Sequence, residues 1–160
     1  MAVINGTSLT LYVSNNDSSA DADTWLPVAL SKSASLNISA DLPDASNKDS
    51  NGWSEVIGGQ KSWSIDFEAL VDLSLTASNS GTDQTNMNIL PLWTYFEQRA
   101  KIKVAWGKQD TYWYGFAFIA SLEQSAEAEQ TVSFSGSLTG SGSILYGTTG
   151  NGTVPTYPGS

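Results

Sequence analysis

Two residue types are missing altogether: the 160-residue chain has no histidine and no cysteine. Without them there is no Ser-His-Asp or Cys-His nucleophile, no thiolate or imidazole metal ligand and no disulfide. Any chemistry would have to run on carboxylates, lysines or tyrosines. Charge is scarce as well. Charged residues make up 14% of the sequence, against roughly 25% in an average soluble domain, and Ser, Thr, Asn and Gly fill the deficit. A monomer normally keeps itself soluble with charge, so a large, weakly charged polar surface points to partners that cover part of it. An ordinary Ser/Thr-rich β-protein explains the composition equally well. Basic residues are the rarer sign, seven against sixteen acidic, for a net charge of −9. Nucleic acid is gripped by Lys and Arg clusters that displace counterions. The chain is therefore no such grip, although nucleic acid can pass near it without sticking. Long apolar runs are absent too, and the start, MAVINGTSLTLYV, lacks the pattern of a secretory signal. A soluble protein made in the cytosol is the expected product.

What is present is β-pattern. From Lys61 onward, Trp63, Ile65, Phe67, Ala69 and Val71 alternate with Ser62, Ser64, Asp66 and Glu68. Successive strand side chains point to opposite faces, so this is a strand with one apolar and one polar face. Ser33 to Ser39, Lys101 to Trp106 and Gln130 to Gly140 share the signature, the first with Leu36 and Ile38 inward. The last sets Val132, Phe134 and Leu138 against Ser133, Ser135, Ser137 and Thr139. A sheet of such strands has its core on one side and water on the other. Ser8 to Val13 and Trp25 to Leu30 read as further strands, with Pro27 favouring an edge or a strand start. Trp53 to Ile57 reads as a short lead-in strand, and Ile144 to Tyr146 as a last short one. Tyr112 to Leu122 is apolar on both faces, as expected of a strand between two layers. One helix is predicted from about Ile89 to Arg99. Ile89, Leu92, Trp93 and Phe96 form its apolar stripe, Pro91 sits in its first turn, and Arg99 and Lys101 complement its negative end.

The connection Asp41 to Asn51 is long and polar, a surface loop or a contact arm. From Gly147 the chain is Gly/Thr/Pro-rich and expected to be disordered on its own. Neither Trp53 nor Trp63 has the surroundings of a ligand platform, and both are expected in core or turn packing, with Trp93, Phe96, Phe116 and Phe118 as further core. Asp66 and Glu68 share a face, but two acids on an open sheet offer no cleft for glycoside hydrolysis. Stacking of sugar rings on Trp25, Trp106, Tyr112, Trp113 and Tyr114 is a competing reading, although strand propensity and core packing also account for these aromatics.

Residues 33 to 71 resemble the major tail tube proteins of long-tailed phages. A Ser/Leu strand, a loop ending in Lys48-Asp49-Ser50, then Gly52-Trp53 and the strand opening Lys61-Ser62-Trp63 stand in the order found in that family. Asn5-Gly6-Thr7 before the first strand, Tyr114-Gly115 and the Ser/Gly/Thr-rich stretch Ser133 to Gly142 add to the likeness. The resemblance implies a mainly β fold, a β-sandwich or partly open barrel with one packed α-helix. It would span residues 1–146, followed by a flexible tail, 147–160. It implies a structural virion protein of the phage tail, forming hexameric rings that stack into a conduit for DNA ejection. No enzymatic activity, cofactor, metal or membrane contact is expected. The partners would be the chain itself and the tape-measure, tail-tip and tail-terminator proteins, with DNA passing unbound. Ser62, Ser64, Asp66, Glu68, Ser133, Ser135 and Ser137 would face the lumen. Asp41, Asp44, Asn47, Lys48, Asp49 and Ser50 would belong to the loop between rings. Tube proteins of contractile injection devices and type VI secretion systems share this architecture, and the chain does not separate them from a phage tube.

Overall fold

The computed structural model describes residues 9–14, 25–28, 31–46, 53–71, 89–108, 111–128 and 130–147. Asn47, Lys48, Asp49, Ser50 and the tail after Gly147 lie outside these residues. The elements in chain order are β1 (Thr10–Ser14), β2 (Trp25–Pro27), β3 (Ser31–Ala40), β4 (Lys61–Leu70), α1 (Ile89–Glu97), β5 (Ile102–Lys108), β6 (Thr111–Ser125) and β7 (Ser133–Gly147). All seven strands join one curled sheet, a half-barrel, in the order β2-β1-β5-β6-β7-β4-β3. Each neighbouring pair is antiparallel.

β4 keeps its alternation: Trp63, Ile65, Phe67 and Ala69 are buried, while Ser62 and Asp66 are exposed. They join Leu11, Val13, Leu26, Ile102, Val104, Ala117, Ile119, Phe134 and Leu138 in the main core on one face of the sheet, closed by Leu92 of α1. Burying one large apolar side chain is worth about 1.5–3 kcal/mol, so the face holding all of these fixes the register. A slip by one residue would turn every one of them to the wrong side.

β6 and β7, fifteen residues each, run the length of the molecule. Their register shifts between Tyr114 and Phe116 and again between Ile119 and Ser121. At the first shift the Trp63 indole N–H donates to the Gly142 carbonyl oxygen at 3.0 Å. The ring lies on bare backbone: a Cβ at Gly140 would sit 2.0 Å from Trp63 Cε2, and one at Gly115 2.8 Å from its Cζ2. Gly142, at φ 87°, takes a left-handed conformation that other residues rarely adopt. Two glycines thus make room for an indole, and a third makes the bend it binds.

Several expectations are corrected. Ile144 to Tyr146 is the end of β7, not a separate strand. Trp53 to Ile57 forms no strand; its one bridge joins Val56 to Asp44. Trp53 is 81% exposed, because it sits on an arm projecting from the sheet and not over the core. Ile38 is 52% exposed, because β3 is the edge strand of the described sheet. The helix is turned relative to the predicted stripe. It buries Leu92, half-buries Ile89 and Tyr95, and leaves Leu90, Trp93 and Phe96 exposed. Phe116 is only half-buried and Phe118 is exposed, since both point away from the main core.

α1 ends at Glu97, short of Arg99. The Ala100 N–H donates to the Tyr95 carbonyl and the Arg99 N–H to that of Phe96, with Arg99 at φ 51°. This is a Schellman stop whose left-handed position holds Arg where Gly is usual.

Candidate functional site

The polar faces of four strands meet in one wall. Across β3, β4, β7 and the second half of β6, the register builds rows of side chains sharing a face. Ser35 lies opposite Asp66, Asp66 opposite Ser137, and Ser137 opposite Ser121. The next row is Ser33, Glu68, Ser135 and Glu123. Asn37, Ser64 and Thr139 form another, which ends at the exposed Phe118 of β6; Ser39 and Ser62 make the row beyond it, and Ser133 lies opposite Leu70 and Ser125. Ser62, Ser64, Asp66, Glu68, Ser133, Ser135 and Ser137, the candidates taken from the sequence, therefore sit on one continuous surface. Sequence reasoning missed the β3 serines with Asn37, and Ser121, Glu123 and Ser125. The β3 serines were visible as alternation; the β6 residues were hidden by the shift at Ile119/Ser121, which no local pattern announces.

The wall's chemistry is short-range and self-satisfied. Asn37 donates to Asp66 at 3.0 Å, Lys32 pairs with Glu68 at 2.9 Å, and the Ser39 and Ser62 hydroxyls are 2.8 Å apart. An exposed ion pair of this kind contributes little to stability, about 1 kcal/mol at most. Glu68, Glu123, Ser125, Ser133 and Ser135 border a shallow polar depression. Among the described residues no cluster of three or more His, Cys, Asp or Glu side chains is placed to hold a metal, and no helix is long and apolar enough to cross a membrane.

Among the described residues both flanks of the wall are open. There β3 has no strand partner on the side away from β4, and β6 none beside Phe118 to Ser125 on the side away from β7, because β5 begins at Ile102 opposite Ala117. Sheet edges left this way invite pairing with another strand. On the same face, further along β6, Lys103 lies opposite Phe116, and Lys101 Nζ sits 5.0 Å above the Phe116 ring. Beyond them the face turns apolar. Tyr112, Tyr114, Trp25 and Ala105 form a second buried cluster, with Tyr12 packed against it. This cluster, and not a second sheet, covers the other side of β6. Burial and then the neighbouring Tyr114 push the Tyr112 phenol above its ordinary pKa.

The arm between β3 and β4 is held at its root by backbone hydrogen bonds. Asp41 N–H donates to Gln60, Gly59 N–H to Asp41, Ile57 N–H to Pro43 and Ala45 N–H to Glu55. Its turn is tied by Asp44, whose carboxylate accepts from the Ser46 hydroxyl and N–H; these bonds hold its pKa below the usual value. Leu42, Trp53, Val56 and Ile57 are exposed along it. Asp41 and Asp44 lie on this arm.

A sequence profile for the phage tail tube protein family matches residues 3–146. The chain belongs to that family. It is a structural tail tube subunit, a component of a phage tail. Among curated proteins no sequence matches. Solved structures of similar fold include the virion of a native gene transfer agent particle (15% identity, TM-score 0.70, 91% of this chain and 99% of that one). The tail of the empty gene transfer agent particle, refined with C6 symmetry, is similar at 16% identity and TM-score 0.69, again over 91% and 99% of the two chains. The SPP1 tail tube follows at 16% identity and TM-score 0.59, over 92% of this chain and 80% of that one.

Proposed function

We propose that the four-stranded polar wall is this subunit's share of the bore of a tail tube, closed by copies of the chain and crossed by DNA during ejection. The observation that carries the reading is the combination of one continuous polar face with two open flanks. Along the wall β6 runs one way, β7 the other, β4 with β6, and β3 with β7. Rotation about an axis along the strands preserves direction. The β3 of one copy beside the β6 of the next therefore continues the antiparallel alternation without a break. Six copies, as in the C6-symmetric tail of similar fold, would give a closed barrel with no edge left exposed.

The lining suits passage over binding. Short hydroxyls present a smooth surface, and the acids Asp66, Glu68 and Glu123 repel phosphate. The opposite face carries the main core and α1, so the helix lies outside the bore. The arm, with Asp41, Asp44 and the stretch Asn47, Lys48, Asp49 and Ser50, would reach the next ring. Tape-measure, tail-tip and tail-terminator proteins would meet the tube inside and at its ends. The role is structural, with no reaction and no cofactor, and the product would be made in the host cytoplasm before it joins the virion.

The test replaces Asp66 and Glu68 together with lysine in assembled phage. Tubes should form normally by electron microscopy while DNA release slows several-fold, because cations would hold the phosphates. Release at the parental rate would show that the face does not line the bore.

A further inference from the structure

Three apolar features are exposed among the described residues: Ile38 on the edge of β3, Trp93 and Phe96, ring against ring on the outer side of α1, and Phe118 beside the flank of β6. Phe96 and Phe118 line a groove of ≈ 600 Å³ together with Tyr95, Glu97, Arg99 and Ile119. We propose that this groove is the seat for the β3 edge of a second copy of the chain, with Ile38 entering it. The inference rests on the ring reading above and names the residues that make the contact.

The register leads there. Ile38 lies opposite Trp63, whose ring covers Gly140, and Gly140 lies opposite Ala117. One row further, Leu36, Ile65, Leu138 and Ile119 stand side by side. A neighbouring β3 laid antiparallel along Phe118 to Ser125 continues these rows. Leu36 then arrives beside Ile119. Ile38 arrives where β5 begins and α1 ends, which is the groove. Ile38 lies on the core side of its own sheet, and the groove sits at the edge of β6, with Ile119 on the core side and Phe118 on the wall side.

Charge agrees with this placement. The only charged residue of β3 is Lys32, and the only one between Phe118 and Ser125 is Glu123. Lys32 adjoins the Ser33 row, and that row ends at Glu123, so the basic residue of one flank comes level with the acidic residue of the other. The competing occupant is the projecting arm of a copy stacked along the strands. It is apolar too, but the described part carries Asp41, Asp44 and Glu55 and no row of the sheet leads from it to the groove.

The absence of native cysteine makes a clean test. Ile38→Cys with Phe96→Cys in the full chain is oxidised under assembly conditions and run on a non-reducing gel. A bond closed within one chain leaves the band at the monomer's mass, so every covalent oligomer on the gel reports a bond between copies. A ladder of covalent oligomers that ends at the ring, absent from either single variant, is expected. Rings without the ladder overturn the seat and leave the ring reading standing, and so does a ladder obtained instead with Trp53→Cys and Phe96→Cys, which assigns the groove to the arm. As a second measurement, Ile38→Lys should melt like the parent yet need at least tenfold more protein to assemble; assembly at the parental concentration overturns the seat. A parent chain that stays monomeric at every concentration overturns ring and seat together.

Discussion

The two halves of β6 are built on opposite plans. From Tyr112 to Ala117 the strand is apolar on both faces, with the main core on one side and the Tyr12, Trp25, Ala105, Tyr112 and Tyr114 cluster on the other. From Ser121 to Ser125 one face carries only Ser121, Glu123 and Ser125, and it is exposed. The chain covers both faces of the first half itself and leaves one face of the second half bare, while Leu122 on the other face packs on the main core. A strand whose composition changes midway thus marks the border between what folding buries and what is left for water or for another copy. The seam where Trp63 rests on Gly115 and Gly140 lies on the covered side of that border, and the register shift between Ile119 and Ser121 marks the border itself.

If this border separates a tightly packed half from a tolerant wall, substitutions should grade accordingly. Gly140→Ala should cost the most, about 3 kcal/mol, because its Cβ would fall 2.0 Å from the Trp63 ring; urea unfolding measures it, and a loss under 1 kcal/mol would mean the seam is loose.

The covered half should also respond to alkali. The Tyr112 phenol has its pKa raised by burial, then by Tyr114, so folding favours its protonated form. Its contribution is complete below the ordinary value near 10.0 and is lost as pH rises through the higher folded value. Tyr112→Phe should therefore flatten the fall in melting temperature between pH 9 and pH 11 relative to the parent; identical slopes would place the phenol in water.

On the wall the response should nearly vanish. Ser135→Ala changes stability by less than about 0.5 kcal/mol, read by the same unfolding experiment, and a larger loss would show that the wall is packed like the covered half.

The sequence made the wall's first half plain. Alternation through β4 separated Trp63, Ile65 and Phe67 from Ser62, Ser64, Asp66 and Glu68, because a half-buried strand imposes a period of two. Three things stayed hidden, each for a physical reason. In α1, Leu90, Leu92, Trp93, Tyr95 and Phe96 surround most of the helix, so spacing alone could not choose the inward face; packing chose Leu92 and left Trp93 and Phe96 outside. Trp53 and Ile38 are apolar residues on an arm and an edge, where hydrophobicity does not mark a core. The register shifts in β6 and β7 are tertiary events, set by an indole needing bare backbone, and they decide which β6 residues join the wall.

The arm's described root is a thin ladder of main-chain bonds around one bridge, while the wall is stitched across four strands. Local opening is easiest where few contacts must be given up. If tubes are joined end to end through such arms, curvature gathers at the joints. A long filament could then flex like a string of rigid beads while its inner diameter stays constant.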